Sequence, residues 1–110
     1  MSRLTLKRDR YKSSRGGYSR LLNIHCYKCN TLVLVYQKDG PGHIRRLYLD
    51  RIFFPEGLTD LQKQSIKNIP PLKCPKCGFV MGIPYIYEKE QRKAFRVFQD
   101  ALIKKIRKVS

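Results

Sequence analysis

The sequence predicts a small α+β fold that is mostly β. Its 110 residues suit one domain, and two stretches rich in β-branched and aromatic residues indicate two β-hairpins. Two C-x2-C pairs, with 44 residues between them, offer the cross-link that a core of this size needs. We expect a basic extended arm over residues 1–20, a central domain over 21–98 and a basic C-terminal helix over 99–110.

The N-terminal arm is defined by its charge. It carries seven Lys or Arg residues against one acid and has few residues that could enter a core. A solvated tail is one interpretation. The charge of the whole chain favours an arm that becomes ordered on nucleic acid.

The first predicted hairpin joins residues 31–38 to residues 43–50. Its first strand contains the apolar run LVLVY at 32–36, which is typical of a strand covered on both faces. The sequence DGPG at 39–42 supplies a turn, because glycine allows positive φ and proline fixes its own φ.

A short helix and a second hairpin follow along the chain. Thr59 and Gln62 have the spacing of a capping box, which predicts a helix over about 60–68. The sequence VMGIPYIYEKEQRKAFRVF predicts a hairpin whose turn lies at 88–92. Apolar residues at helical spacing from position 95 onward predict that the strand gives way to the C-terminal helix near residue 98.

The sequences CYKC and CPKC each present two thiolates from one tight turn. Zinc takes four ligands tetrahedrally and favours thiolate, so two such pairs complete a site. Redox or structural disulfides are the alternatives. A thioredoxin-type motif needs only one pair, and the N-terminus lacks the apolar segment of a secretory signal. We expect a reducing, cytoplasmic compartment; an organellar one stays open.

Two C-x2-C knuckles, each followed by an apolar strand and a hairpin, resemble the zinc-ribbon fold group over about residues 24–98. The resemblance implies that one structural Zn²⁺ is bound by Cys26, Cys29, Cys74 and Cys77. Zinc ribbons occur in ribosomal proteins, transcription factors and adaptors, so the fold alone leaves the function open.

Catalysis is not indicated by the sequence. HNH-type nucleases can carry a histidine between two zinc knuckles, and His43 lies there. However, Gly42 and Gly78 stand where such an enzyme needs metal-binding side chains. The sequence contains no P-loop, dinucleotide glycine motif or nucleophile elbow. We therefore expect neither enzymatic activity nor a small-molecule substrate.

The net charge is +16, from 24 Lys plus Arg and 8 Asp plus Glu, which favours a polyanionic partner. No stretch approaches the roughly 20 apolar residues of a membrane span, so no membrane partner is expected. Basic residues at both ends and on a hairpin suit folded RNA better than a duplex read by one element. A small zinc ribbon with this charge and a basic arm resembles ribosomal proteins, and the resemblance implies contacts with rRNA and neighbouring ribosomal proteins. A DNA-binding or transcription-associated ribbon and a protein-binding adaptor are the alternatives. The residues expected to contact nucleic acid are Arg3, Lys7, Arg8, Arg10, Tyr11, Lys12, Arg15, Tyr18, Arg20, Lys38, Arg45, Arg46, Lys104, Lys105, Arg107 and Lys108.

Overall fold

Two four-stranded antiparallel sheets dominate the computed structural model, which describes residues 6, 7, 9–14 and 19–107. The strands are β1 Ser19–Cys26, β2 Leu32–Asp39, β3 Arg46–Tyr48, β4 Ile52–Phe54, β5 Leu72–Lys73, β6 Val80–Tyr87, β7 Arg92–Val97 and β8 Leu102–Ile106. The helical elements are α1 Arg10–Ser14, α2 Glu56–Thr59 and 3-10 turns at Leu49–Arg51, Leu61–Lys63 and Ile66–Asn68. The predicted fold class, small and mostly β with little helix, is confirmed.

The chain passes between the two sheets more than once. The first sheet has the strand order β4-β2-β1-β8 and the second has the order β3-β7-β6-β5. The β1–β2 and β5–β6 pairs are hairpins whose turns hold the two cysteine pairs. Strand β3, from the first half of the chain, pairs with β7 of the second sheet. Strand β8, from the second half of the chain, pairs with β1 of the first sheet. These two exchanged strands link the sheets.

One hydrophobic core is shared by both sheets. Its fully buried members include Leu22, Ile24, Leu34, Leu47, Met81 and Phe95. Each such side chain contributes on the order of 1.5–3 kcal/mol relative to an exposed position. Cys26 and Cys74 belong to the same cluster, so the cysteine site adjoins the core.

The second predicted hairpin is confirmed, and the first is wrong. Strands β6 and β7 pair around a turn after Tyr87, as the alternation and turn residues predicted. Strand β2, however, pairs with β4 and with β1, a strand that was not predicted. After the turn at Gly40 and Gly42, both at positive φ, the chain crosses to the second sheet, where Leu47 lies opposite Phe95.

The predicted C-terminal helix is also wrong, because residues Leu102–Ile106 form β8. Asp100 has a φ of 57°, a left-handed conformation that is incompatible with a right-handed helix over 99–110. An isolated helix of this length is marginal in water, whereas the open edge of β1 offers backbone hydrogen bonds and favours β-branched residues. Leu102 thereby lies opposite Cys26, and Ile106 lies opposite Leu22.

The inserted helix and the N-terminal arm differ in detail from their predictions. The segment after β4 holds α2 and two 3-10 turns instead of one helix over 60–68; Thr59 Oγ1 donates back to the Glu56 carbonyl (2.9 Å). The arm contains α1, which Asp9 caps by accepting from the N–H groups of Tyr11 and Lys12 (3.0 and 3.2 Å). No helix in the described ranges combines the length and apolarity that a bilayer crossing requires.

Candidate metal centre and basic surface

Each cysteine pair lies in a hairpin turn, and the two turns have the same hydrogen bonds. The N–H of Cys26 donates to the Thr31 carbonyl and the N–H of Asn30 donates to the Cys26 carbonyl, both at 2.9 Å. The turn at 74–79 repeats these two bonds at 2.9 and 3.0 Å. The repeated backbone geometry presents both thiols of each pair from one side of the turn.

The four sulfur atoms form one cluster. Sγ of Cys26 lies 3.6 Å from Sγ of Cys77, Sγ of Cys29 lies 3.5 Å from Sγ of Cys74, and all four atoms are within 4.8 Å of one another. Zn–S bonds of about 2.3 Å in a tetrahedron separate neighbouring sulfurs by about 3.8 Å. The cluster could therefore hold a metal ion with small side-chain adjustments, as the doubled spacing predicted.

Two thiols of the cluster, those of Cys29 and Cys77, have pKa values shifted in opposite directions. The pKa of Cys29 is lowered to about 6, chiefly because the Thr31 hydroxyl, 3.1 Å from Sγ, stabilises the thiolate. The Phe79 N–H lowers the pKa of Cys77, but desolvation and hydrogen bonds with the other thiols outweigh it and raise that pKa to about 11. A bound cation would displace the protons of these two thiols.

Both turns require a left-handed residue after the second cysteine. Asn30 has a φ of 63° and Gly78 a φ of 77°, as the residue types predicted. No atom lies within 4 Å of a Cβ built on Gly78, so a side chain there would be penalised by backbone conformation alone.

We expect Gly78→Ala to lower the free energy of unfolding by about 1 kcal/mol, the usual cost of an L-residue in this region. Gly57→Ala is the matched control, because Gly57 lies in α2 with an ordinary φ and open space around it, and alanine favours helix. Urea unfolding of both variants in the presence of Zn²⁺ tests this. Equal stability of the two variants would contradict it.

Arg51 is the centre of a buried charge network beside β2. Its guanidinium is 1% exposed and contacts Asp39 (2.9 Å), Asp9 (2.6 Å) and Asp50 (3.7 Å). The hydrogen bond from Arg51 lowers the pKa of Asp9. Burial alone would raise the pKa of Asp39, but hydrogen bonds from Ser19, Gln37 and Arg51 lower it.

Arg92 extends this network to the second sheet. It donates to Asp50 (2.7 Å) and to Glu90 (3.0 Å), and its guanidinium lies 3.7 Å from the centre of the Tyr48 ring and 4.0 Å from that of Tyr11. Two internal arginines thus engage four of the eight acidic side chains of the chain.

Several predicted RNA contacts in the arm also have roles within the fold. Lys7 donates to the Asp50 carbonyl and lies over the Phe53 ring (5.9 Å). Exposed Arg10 donates to the Tyr11 hydroxyl (2.9 Å), and that hydroxyl donates to the Glu90 carbonyl (3.2 Å). The described part of the arm is therefore docked on the domain.

Lys38, one of the predicted RNA contacts, is buried and does not belong to the exposed basic surface. It is only 9% exposed, and its ammonium donates to the carbonyls of Gly40 and Pro41, both at 3.1 Å. It therefore closes its own turn. Arg20, on the opposite strand, and Lys12 are half-buried.

The C-terminal basic residues lie on a strand. Lys104 and Lys105 are exposed and, as neighbours on β8, point to opposite faces; Arg107 donates to Asn23 Oδ1 (3.0 Å). Predicted contacts that lie outside the described residues are Arg3, Arg8, Arg15, Tyr18 and Lys108.

A groove of about 860 Å³ collects basic and aromatic side chains from both sheets. Its lining includes His43, Arg45, Arg46, Tyr85, Arg96, Phe98 and Lys104. Arg45 is exposed and Arg46 is half-buried. Sequence reasoning missed Tyr85, Arg96 and Phe98, although the period-2 alternation of the hairpin could have placed Tyr85 on a solvent-facing side.

Comparison with known proteins gives no match: no family model matches the chain, and neither curated proteins nor solved structures match it significantly.

Proposed function

We propose that this protein is a non-enzymatic, structured-RNA-binding protein with one structural Zn²⁺. Within that class, a small ribosomal protein that contacts rRNA fits the chain best. The metal holds two hairpins together, and the basic surface neutralises phosphate.

Zinc is favoured by the donor set. Four thiolates at tetrahedral spacing select zinc or iron among common metals, and a filled shell leaves no open position for catalysis. Four thiolates with one divalent ion carry a net charge of −2. Exposed Lys28 and Lys76 occupy equivalent positions in the two turns, where they offset that charge.

The main support for the RNA proposal is that half of the acidic side chains form ion pairs with buried arginines within the fold. Four of the eight acidic side chains pair with buried Arg51 and Arg92, so few acids lie among the exposed cations. Exposed cations occur in α1, just before β3, on β7 and on β8. A surface basic on several sides suits a folded polyanion.

Affinity for a folded rRNA fragment should fall steeply with salt. Six or more neutralised phosphates would lower it about 10³-fold between roughly 50 and 200 mM salt, because each contact releases counterion. Fluorescence anisotropy across a KCl series measures the slope. The Lys104→Gln/Lys105→Gln variant should make the slope shallower, and salt-independent binding would contradict the proposal.

Sedimentation of a cell lysate tests the ribosomal assignment. We expect the protein to migrate with ribosomal particles at physiological salt and to lose that position after ribonuclease treatment. Stronger binding to duplex DNA than to folded RNA would favour the DNA-binding alternative. Co-purification with one protein after nuclease treatment would favour the adaptor alternative.

A further inference from the structure

We propose that the groove between β3, β7 and β8 binds an unpaired segment of RNA, such as the nucleotides of a loop or bulge. This inference rests on the RNA-binding function proposed above and assigns it a site. The groove has a volume of about 860 Å³ and combines cations with aromatic rings.

The cations of the groove repel one another within the free protein. Arg46 and Arg96 are directly opposed on neighbouring strands, an arrangement that destabilises a sheet. Among the described residues, no carboxylate lies within 4.0 Å of the basic groups of Arg45, Arg46, Arg96 or Lys104. Asp100 supplies the single negative charge among the described lining residues. Phosphate groups would relieve this repulsion.

The aromatic side chains indicate unpaired bases. Phe98 is 44% exposed, so part of its ring is free to stack within the groove. The Tyr85 hydroxyl is held by Arg46 Nε (2.9 Å), and the Arg46 guanidinium lies 4.0 Å from the centre of the Tyr87 ring. Aromatic rings and guanidinium planes stack on splayed-out bases, whereas a duplex presents only its backbone and groove edges to such groups.

The groove is also rigidly framed. Arg46, Tyr85, Arg96 and Lys104 lie on four different strands, β3, β6, β7 and β8. Sites on strands are held more precisely than sites on loops. Its volume of about 860 Å³ falls within the roughly 300–1,000 Å³ of ordinary ligand pockets.

The test compares two RNAs: a hairpin with a single-stranded loop and a fully paired duplex of equal length, both fluorescently labelled. The groove variants are Phe98→Ala and Arg96→Gln. Phe54→Ala is the matched control for the first, because Phe54 is 45% exposed and lies outside the groove. Lys67→Gln removes one exposed charge elsewhere and is the control for the second.

We expect each groove variant to weaken binding of the hairpin about tenfold, the effect of losing one stacked base or bidentate contact. The affinity for the duplex should change by less than about twofold. The control variants should change the affinity for either RNA by no more than that. Photo-cross-linking of 4-thiouridine in the loop should label a peptide that contains Tyr85 or Phe98.

Other outcomes overturn the inference in distinguishable ways. Hairpin binding that Phe98→Ala and Arg96→Gln leave at the level of their controls would refute the groove while RNA binding stands. Failure of the wild-type protein to bind either RNA would refute the proposed function itself. Equal or tighter binding of a DNA hairpin of the same sequence would refute RNA as the occupant.

Discussion

Replacing Cys74 with serine is expected to abolish metal binding and, with it, the native fold. Cys74 is 2% exposed, belongs to the core cluster and lies 3.5 Å from Cys29 across the two hairpins. Structural zinc contributes about 10–16 kcal/mol in small zinc-binding peptides, whereas whole domains are stable by only about 5–15 kcal/mol. The free energy lost with the ion is therefore comparable to or larger than the whole free energy of unfolding expected for a 110-residue chain.

Circular dichroism and two-dimensional NMR of the variant measure the loss of fold, and a strong chelator added to the wild-type protein should reproduce it. Tyr27→Ala is the control, because Tyr27 lies in the same turn, is 59% exposed and offers no ligand in the cluster. A Cys74→Ser variant that keeps native spectra without metal would contradict the account.

Replacing Arg51 with methionine should cost about 3–5 kcal/mol, the usual effect of removing one partner of a buried ion pair. The substitution preserves much of the side-chain volume but leaves Asp39, whose side chain is 4% exposed, without its cation. It also releases Asp9, which caps α1 and anchors the arm. Urea unfolding with excess Zn²⁺ measures the change.

Two variants calibrate this result. Arg51→Lys keeps the charge but loses the planar fork, so its stability should lie between those of the wild-type and methionine variants. Lys63→Met breaks the ion pair between Lys63 and Asp60, two side chains that are 73% and 72% exposed. This substitution should hardly change the free energy of unfolding. An Arg51→Met variant as stable as Lys63→Met would show that the network contributes nothing.

The local features of this fold could be predicted from the sequence, whereas its long-range pairings could not. The doubled C-x2-C spacing and the residues after each pair predicted the cysteine cluster, because each turn is determined by its own few residues. The β6–β7 hairpin was predictable for the same reason. The partners of β2 were not, since β1 and β4 pair with its two edges and the turn at 39–42 does not show where the chain goes next.

Short apolar segments and isolated charges account for the remaining errors. The segment at 102–106 fits helical and extended periods alike, and only the open edge of β1 makes it a strand. Nothing in the sequence marks Arg51 or Arg92 as buried, because the pairs of Arg51 with Asp9 and Asp39, and of Arg92 with Asp50, join segments that are distant along the chain. Lys38 resembled a surface cation for the same reason, because its burial is decided by the elements packed around it.

X-ray absorption at the zinc edge of gently purified protein tests the central claim most directly. We predict one zinc ion with four sulfur ligands at about 2.3 Å, since only both hairpin turns together can supply four thiolates. A sample without zinc whose cysteine pairs are oxidised, or an ion with fewer than four sulfur ligands, would contradict the claim that one metal joins the two turns.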